Sequence, residues 1–102
     1  DVLVLDVDGK MTIASGSAAH DAILDALNRG EKKILLDLEG VSALDSSGVG
    51  ELVGCYTTAT YKGAKLKLQS LPPKISDVLT VTQLITVFDV FPNEKDALAS
   101  FA

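Results

Sequence analysis

The chain opens with a pattern of apolar residues that is typical of β-strands. Residues 2–7 are almost all apolar, and the Asp8-Gly9 pair that follows is a tight-turn signal ahead of a second short run, residues 10–13. Two such runs joined by Asp-Gly favour a β-hairpin, because this pair tolerates the left-handed backbone of the tightest turns. We therefore expect the first two strands to pair with each other.

Four later segments have the composition of strands or of a loop. Residues 33–38 form a nearly unbroken apolar run, which is expected of a central strand covered on both faces. Residues 39–44 are expected to form a loop. Residues 64–69 alternate, which predicts a strand with one buried and one wet face, and residues 85–90 predict a last short strand. The wet face would carry Lys65, Lys67 and Gln69.

Apolar residues recur at helical spacing in four other segments. The first helix is expected between Ser17, which can cap its start, and Gly30, which suits a left-handed C-terminal residue. The second is expected over residues 49–61. The proline pair at residues 72–73 is expected to open the third, since proline is tolerated in a first turn, and Asn93 to cap the fourth.

The complete predicted order is ββαβαβαβα. Strands that alternate with helices need crossover connections, so the expected fold class is α/β, with about four helices on a mostly parallel sheet that the opening hairpin makes mixed. At 102 residues with 47% hydrophobic content, the chain has the size of one domain, residues 1–102.

Composition and charge limit the kinds of partner. A formal net charge of −5 disfavours nucleic acid and anionic lipid surfaces, whose affinity comes largely from clustered Lys and Arg. A basic protein surface is a better match. The single cysteine cannot form an internal disulfide, and no apolar run approaches the about 20 residues that span a bilayer, so a cytoplasmic protein is expected.

The most informative segment is residues 43–50, with the sequence ALDSSGVG, where a strand-like run gives way to a helical one. Asp45 or Ser46 can accept a hydrogen bond from the free amides of the first helical turn, an arrangement worth about 1 kcal/mol. A serine hydroxyl at a helix N-terminus is also a place where a phosphoryl group is tolerated, since that end of a helix favours anions. The residues alone leave both interpretations open.

Winding the second helix at about 100° per residue separates a core side from a solvent side. The apolar stripe is centred near Val49 and Tyr56, Ser46 falls near its margin, and Ser47 falls on the opposite side. The other residues predicted on this outer side are Gly50, Glu51, Gly54, Thr58 and Tyr61. Glycine inside a helix costs roughly 1 kcal/mol relative to alanine, so the two glycines indicate close approach of a partner or of a neighbouring loop of the same domain.

A phosphoryl group on Ser47 would add a charge of about −2 and three acceptor oxygens. The fold should survive, because a helix N-terminus tolerates anions. A partner packed on the hydroxyl and the glycines would instead meet a bulky dianion next to Asp45 and Glu51. Binding would then be switched while the structure stays in place.

Catalytic and ligand-binding chemistry has little support in the sequence. A serine nucleophile would need His20 as its base, but the chain has no Gly-x-Ser-x-Gly segment and a single histidine. His20 is expected to be solvated in the first turn of the first helix, and Cys55 to lie beside the core. The sequence has no recognisable spacing of metal ligands and no glycine-rich phosphate loop. We therefore predict no enzymatic activity, no metal site and no cofactor.

Together these residues resemble the STAS domain, the module shared by sulfate transporters and anti-sigma factor antagonists, and more specifically the stand-alone antagonists. The resemblance spans nearly the whole chain. The matching elements are Gly9, the strand at residues 34–38 followed by Val41, the segment at residues 44–50, Gly63 before residues 66–68, and Val78-Leu79 ahead of Leu84 and Phe88.

The resemblance implies a bacterial regulator of transcription that acts by partner switching. The unmodified antagonist would bind an anti-sigma factor that is also a serine kinase of the ATPase type, which frees the sigma factor. Phosphorylation would end the binding, and a serine phosphatase would restore it. Ser47 is the implied acceptor and Ser46 the alternative. The partner-binding residues would be Asp45, Ser46, Ser47, Gly50, Glu51, Gly54, Thr58 and Tyr61.

The sigma factor would be a partner only indirectly, and neither nucleic acid nor a membrane is expected. The alternative is a STAS domain that is never phosphorylated and serves as a scaffold or as the soluble subunit of a transport assembly. Such members often lack a phosphorylatable serine, whereas this chain has two in sequence.

Overall fold

The computed structural model describes residues 2–11 and 18–101, with the backbone alone at residues 10, 11, 18 and 19. The strands are β1 (Leu3–Asp6), β2 (Gly9–Met11), β3 (Lys33–Asp37), β4 (Val41–Leu44), β5 (Lys65–Gln69) and β6 (Val90–Phe91). The helices are α1 (Ala18–Asn28), α2 (Ser46–Tyr61), α3 (Pro73–Val81) and α4 (Glu94–Ser100), and a 3-10 turn spans Leu84–Thr86. The predicted α/β class with four helices and a mostly parallel sheet is confirmed, but the order contains one strand more than predicted.

The strands form two sheets, and every described strand pair is parallel. β1, β3, β5 and β6 lie side by side with β1 next to β3, while β2 pairs with β4 in a two-stranded sheet. The predicted hairpin is therefore wrong. Gly9 has a φ of 83°, and its N–H donates to the carbonyl of Gly40 at 2.9 Å. The positive φ lets the chain step from one sheet to the next instead of turning back on itself.

Strand β4 occupies residues 41–44, where a loop was predicted. The chain enters it through Gly40, and a Cβ added there would collide with the carboxylate of Asp8. This carboxylate is the end of an exposed side chain, and the Asp8 Cα lies 3.5 Å from the added Cβ, so the backbone itself leaves room for a Cβ at position 40. The pairing of β2 with β4 is short and contains a register irregularity between Gly9 and Lys10. These two strands therefore show almost no alternation of apolar and polar residues in the sequence.

Helices α1 and α3 begin and end close to their predicted limits. Gly30 follows α1 with a φ of 91°, as expected of a left-handed C-terminal residue. The predicted cap Ser17 and the end of the predicted second strand, residues 12–13, lie outside the described residues. The strand predicted over residues 85–90 is wrong for most of its length, because the chain there forms the 3-10 turn and pairs with β5 only at Val90 and Phe91.

The main core lies between the four-stranded sheet and helices α1, α2 and α3. Its largest fully buried side chains are Ile23, Ile34, Leu36, Leu38, Leu52, Leu68, Ile75 and Leu79. Burying one such side chain contributes about 1.5–3 kcal/mol, so this layer supplies most of the hydrophobic stabilisation. It also fixes which side of α2 is turned away from solvent.

Helix α4 covers the opposite face of the sheet, which overturns the predicted wet face of β5. Lys67 is only 8% exposed and Gln69 only 2%, while Lys65 is exposed as predicted. The second, smaller core under α4 contains Leu35, Ala97 and Phe101, with Val2, Val4 and Phe91 packed against it. Asn93 caps α4 as predicted, since its Oδ1 accepts a hydrogen bond from the Asp96 N–H at 2.9 Å.

The ammonium group of Lys67 is held at the C-terminus of α4. Its Nζ donates to the carbonyl of Ser100 at 3.1 Å and to the Ser100 Oγ at 2.9 Å. The same Nζ lies 4.6 Å from the ring centroid of Phe101 and 3.9 Å from Oδ2 of Asp89. A cation at the negative end of a helix and over an aromatic ring is stabilised by both, so a lysine can be buried here.

Replacement of Lys67 tests this arrangement. We expect Lys67→Met to lower the free energy of unfolding by about 1–3 kcal/mol, because the apolar stem is kept while the hydrogen bonds and the cation–π contact are lost. The matched control is Lys65→Met on the same strand, which should change stability by less than about 0.5 kcal/mol because the side chain is exposed. Urea unfolding measures both, and equal effects would contradict a structural role for the Lys67 charge.

Candidate functional site

Helix α2 begins at Ser46, earlier than the predicted residue 49. Asp45 is its N-cap: the backbone is extended, with φ −108° and ψ −173°, and the side-chain Oδ1 accepts a hydrogen bond from the Gly48 N–H at 3.0 Å. The Asp45 carbonyl accepts a further bond from the Val49 N–H at 2.9 Å. Of the two residues that could have capped this helix, Asp45 therefore does so, and both serines belong to the first turn.

The side chains of Ser46 and Ser47 are both exposed. For Ser47 this is the predicted position. For Ser46 the prediction of a place near the buried margin is wrong, because the core side of α2 is centred elsewhere. The residues of α2 that are buried are Gly48, Leu52, Cys55 and Ala59, a stripe rotated by about 80° from the predicted centre.

The rotation has a packing cause. Three of the four buried residues, Gly48, Cys55 and Ala59, are small, so they let the helix axis approach its neighbours closely. The larger residue Tyr56 lies at the flank, half-buried, where its ring meets Phe88 edge-on at a centroid distance of 5.3 Å. A large aromatic residue at the flank of a helix can shift the predicted centre of its apolar stripe away from the side that is buried.

The predicted partner-binding residues lie along the outer side of α2, which we call the α2 strip. Four of them are exposed, and Tyr61 is 90% exposed; the other three are Ser46, Ser47 and Gly50. The remaining four are half-buried: Asp45, Glu51, Gly54 and Thr58. Seven of the eight thus lie on one helix, which is about 24 Å long at 1.5 Å per residue, and the eighth, Asp45, is its N-cap.

Glycines 50 and 54 leave an open place in the α2 strip. A Cβ built at either position meets no atom within 4 Å, apart from the helix itself and the adjoining residues. Within the part of the chain that the structure describes, no neighbouring loop packs over them. Internal packing by these residues therefore does not explain why glycine is present.

Glu51 joins the α2 strip to helix α1, a contact that the sequence did not reveal. Its Oε1 accepts a hydrogen bond from the backbone N–H of His20 at 3.1 Å. This amide lies in the first turn of α1, where N–H groups have no partner within the helix. A carboxylate is favourable there because the N-terminus of a helix carries partial positive charge.

His20 is half-buried, whereas a solvated side chain was predicted. Its Nε2 atom is buried and has no hydrogen-bond partner among residues 2–11 and 18–101. Nε2 is therefore not bonded to either serine hydroxyl of α2. The serine and histidine pair that a hydrolytic mechanism would need at this atom is not assembled.

Cys55 lies in the core, with 1% of its surface exposed. Burial raises the pKa of its thiol from 9.0 to about 12, and the nearby carboxylate of Glu51 adds to the increase. The thiol therefore stays neutral near pH 7. A neutral, buried thiol is a poor nucleophile and a poor metal ligand.

Carboxylates gather where β1 and β3 end. Asp6, Asp8, Asp37 and Glu39 line a pocket together with Gly40. Across the described ranges, no group of three or more His, Cys, Asp or Glu side chains is arranged to hold a metal ion. No helix within those same ranges has the length and apolar character needed to span a membrane.

Substitution of Gly50 tests the open place in the α2 strip. We expect Gly50→Ala to raise the free energy of unfolding by about 0.5–1 kcal/mol, because alanine favours the helix and its Cβ meets nothing. Gly30→Ala is the control and should destabilise the domain, since a residue with a Cβ is strained at its φ of 91°. Chemical denaturation compares the two, and a destabilised Gly50→Ala variant would mean that part of the domain packs over this position.

The raised pKa of Cys55 predicts a pH dependence. Burial favours the neutral thiol, so its contribution to stability is complete below the unfolded pKa of 9.0 and is lost as the pH rises toward 12. We expect the free energy of unfolding to fall more steeply between about pH 8 and about pH 10.5 in the wild type than in Cys55→Ala. Parallel pH slopes in urea unfolding would contradict this assignment.

Comparison with known proteins agrees with the architecture. A family model of the STAS domain matches residues 1–97. A relative from Paenibacillus polymyxa, named anti-sigma F factor antagonist, is 24% identical over 98 residues, which cover 95% of this chain and 84% of the relative.

Two solved structures share the fold. The crystal structure of an anti-sigma factor antagonist from Mycobacterium paratuberculosis has a TM-score of 0.83 at 23% identity, covering 95% of this chain and 82% of that one. The STAS domain of a SulP transporter from Vibrio cholerae has a TM-score of 0.79 at 17% identity, covering 97% and 79%. Since the family model extends over nearly the whole sequence, the chain belongs to the STAS domain family.

Proposed function

We propose that this chain is an anti-sigma factor antagonist that binds an anti-sigma factor in its unmodified form and is released by phosphorylation of Ser47. The observation that carries the proposal is the position of Ser47, exposed in the first turn of a helix that Asp45 caps. The relative from Paenibacillus polymyxa that bears this name supports the role.

The geometry at Ser47 suits a reversible modification. Its side chain faces solvent, so a phosphoryl group displaces no buried atom and the core is untouched. The N-terminal turn of α2 supplies partial positive charge, which favours an added anion. The modified domain therefore keeps its fold, while the surface around Ser47 changes in charge and in shape.

The α2 strip has the features of a contact surface for another protein. Gly50 and Gly54 present bare backbone, which allows a partner to approach closely. Tyr61 is an aromatic side chain that is 90% exposed, a residue type enriched among the energetic anchors of interfaces. A dianion at one end of this surface would repel or obstruct a partner that fits the unmodified form.

In this scheme the anti-sigma factor is itself the serine kinase, of the ATPase type, and a serine phosphatase returns the domain to its binding form. The sigma factor is affected only indirectly, when the anti-sigma factor is withdrawn from it. This scheme places the domain in the cytoplasm, where it would meet these partners.

A scaffold or a soluble subunit of a transport assembly is the second candidate. It is favoured by the shared fold of the SulP transporter STAS domain from Vibrio cholerae. The two candidates differ at Ser47, because a scaffold has no need of a phosphate there. Modification of this serine therefore distinguishes them.

The first test is partner binding by variants of Ser47. We expect Ser47→Asp to weaken binding of the anti-sigma factor by more than about 1 kcal/mol, or about fivefold in affinity, because it adds a charge to the contact surface. Ser47→Ala should bind as the wild type does. Isothermal calorimetry gives both values with the partner first identified by pull-down, and equal affinity of the two variants would contradict the switch.

The second test is modification itself. Incubation with the cognate kinase and ATP should add one phosphate to the wild-type chain and none to Ser47→Ala, as read by mass spectrometry. Ser46→Ala is the matched control and should still accept the phosphate. Transfer to Ser46 instead would move the site by one residue, and a chain that accepts no phosphate would favour the scaffold.

A further inference from the structure

The contact between helices α1 and α2 lies directly beside the proposed modification site. Glu51 follows Ser47 by four residues on α2, and residues so spaced are neighbours on a helix surface, with Cβ atoms about 5–6 Å apart. Helical side chains lean toward the N-terminus, so that of Glu51 leans over the turn that holds Ser47. Its Oε1 is the atom that accepts the His20 N–H at 3.1 Å.

The topology explains why these groups meet. α1 precedes β3 and α2 precedes β5, and β3 and β5 are parallel neighbours. The two helices therefore run in the same direction and pack side by side, with their N-termini at the same end of the sheet. A charge added to the first turn of α2 is for this reason also close to the start of α1.

The acceptor end of this junction is partly shielded from solvent, although Ser47 itself is exposed. The bond between Glu51 and His20 is partly buried, and Nε2 of His20 is inaccessible to solvent. The charge of Glu51 also reaches Cys55, four residues further along α2, where it contributes to the raised pKa after burial itself. Ser47 stands at the same spacing on the other side of Glu51.

We propose that Glu51 carries the modification state of Ser47 to helix α1: a phosphoryl group on Ser47 drives the Glu51 carboxylate away from the His20 amide and loosens the first turn of α1. The cause is repulsion between like charges at this helical spacing, strengthened because the phosphoryl group is a dianion. The biological use of this coupling rests on the proposed function. The coupling itself is a property of the isolated chain.

The consequence is a modified domain that differs from the unmodified one at two places. Charge changes at the start of α2, and order changes at the start of α1, although no partner needs to touch Glu51. A kinase or a phosphatase can therefore tell the two forms apart from the α1 side as well. Glu51 acts here as a positioning residue for α1.

Hydrogen exchange at the His20 amide tests the coupling. We compare the unmodified chain with chains that carry phosphoserine, introduced during synthesis, at position 47 or at position 46. Phosphoserine at 47 should speed exchange of the His20 amide by at least about tenfold, the loss expected when a hydrogen bond to a charged acceptor is broken. A nearby negative charge by itself slows base-catalysed exchange, so the expected direction is not a trivial effect of charge.

Phosphoserine at 46 is the matched control. It brings the same charge to the same turn but lies about 140° around the helix from Glu51, so exchange at His20 should stay within about twofold of the unmodified chain. The second control is Glu51→Gln. In this variant the His20 amide should exchange faster than in the wild type even without a phosphate, and phosphoserine at 47 should accelerate its exchange little further. Equal acceleration by both phosphoserines, no acceleration by either, or full acceleration in Glu51→Gln would each overturn the proposal.

These outcomes are separate from those that test the proposed function. The phosphate is installed chemically and no partner is present, so failure of kinase transfer or of partner binding does not affect the exchange measurement. Conversely, an unresponsive His20 amide would remove the coupling to α1 while leaving the switch at Ser47 as proposed.

Discussion

The hydrogen bond from the Gly48 amide to the Asp45 carboxylate sets where helix α2 begins, and the positions of the two serines follow from it. With the cap at Asp45, Ser46 and Ser47 fall in the first helical turn, in solvent, at the end of the helix that carries partial positive charge. A start at residue 49 would have left both serines in a loop with no defined orientation. The same bond thus serves stability and places the candidate site.

The orientation of α2 depends equally on its small residues. Gly48, Cys55 and Ala59 let it pack close to its neighbours, which brings Glu51 to α1 and leaves Ser47 exposed. A Cβ added at Gly50 or Gly54, on the outer side, would meet nothing within 4 Å among the described residues outside the local helix backbone. Small residues therefore occur on both sides of one helix: those inside permit packing, and those outside leave the contact surface that we propose for another protein open.

Much of the fold could be predicted from the sequence because its longer elements have clear patterns of apolar and polar residues. The apolar run before Asp37, the glycine after α1 and the Asn93 cap are local signals, and each is confirmed. Strand β4 is too short for a pattern, and the opening hairpin is wrong because Asp-Gly here steps between sheets. Burial of Lys67 and the bond from His20 to Glu51, 31 residues apart, depend on tertiary contacts that no local pattern contains.

Of the candidate site, the exposure of Ser47 could be predicted because Ser47 stays about 110° from the core centre even after the rotation of about 80°, whereas the same rotation moves Ser46 from the predicted margin to the exposed side. The most direct measurement takes one sample of the chain with phosphoserine at 47 and determines both its free energy of unfolding and its dissociation constant for the anti-sigma factor. We predict stability within about 1 kcal/mol of the unmodified chain, with affinity reduced by more than about tenfold. Unchanged affinity, or a loss of affinity matched by a loss of stability, would contradict a switch that acts while the domain stays folded.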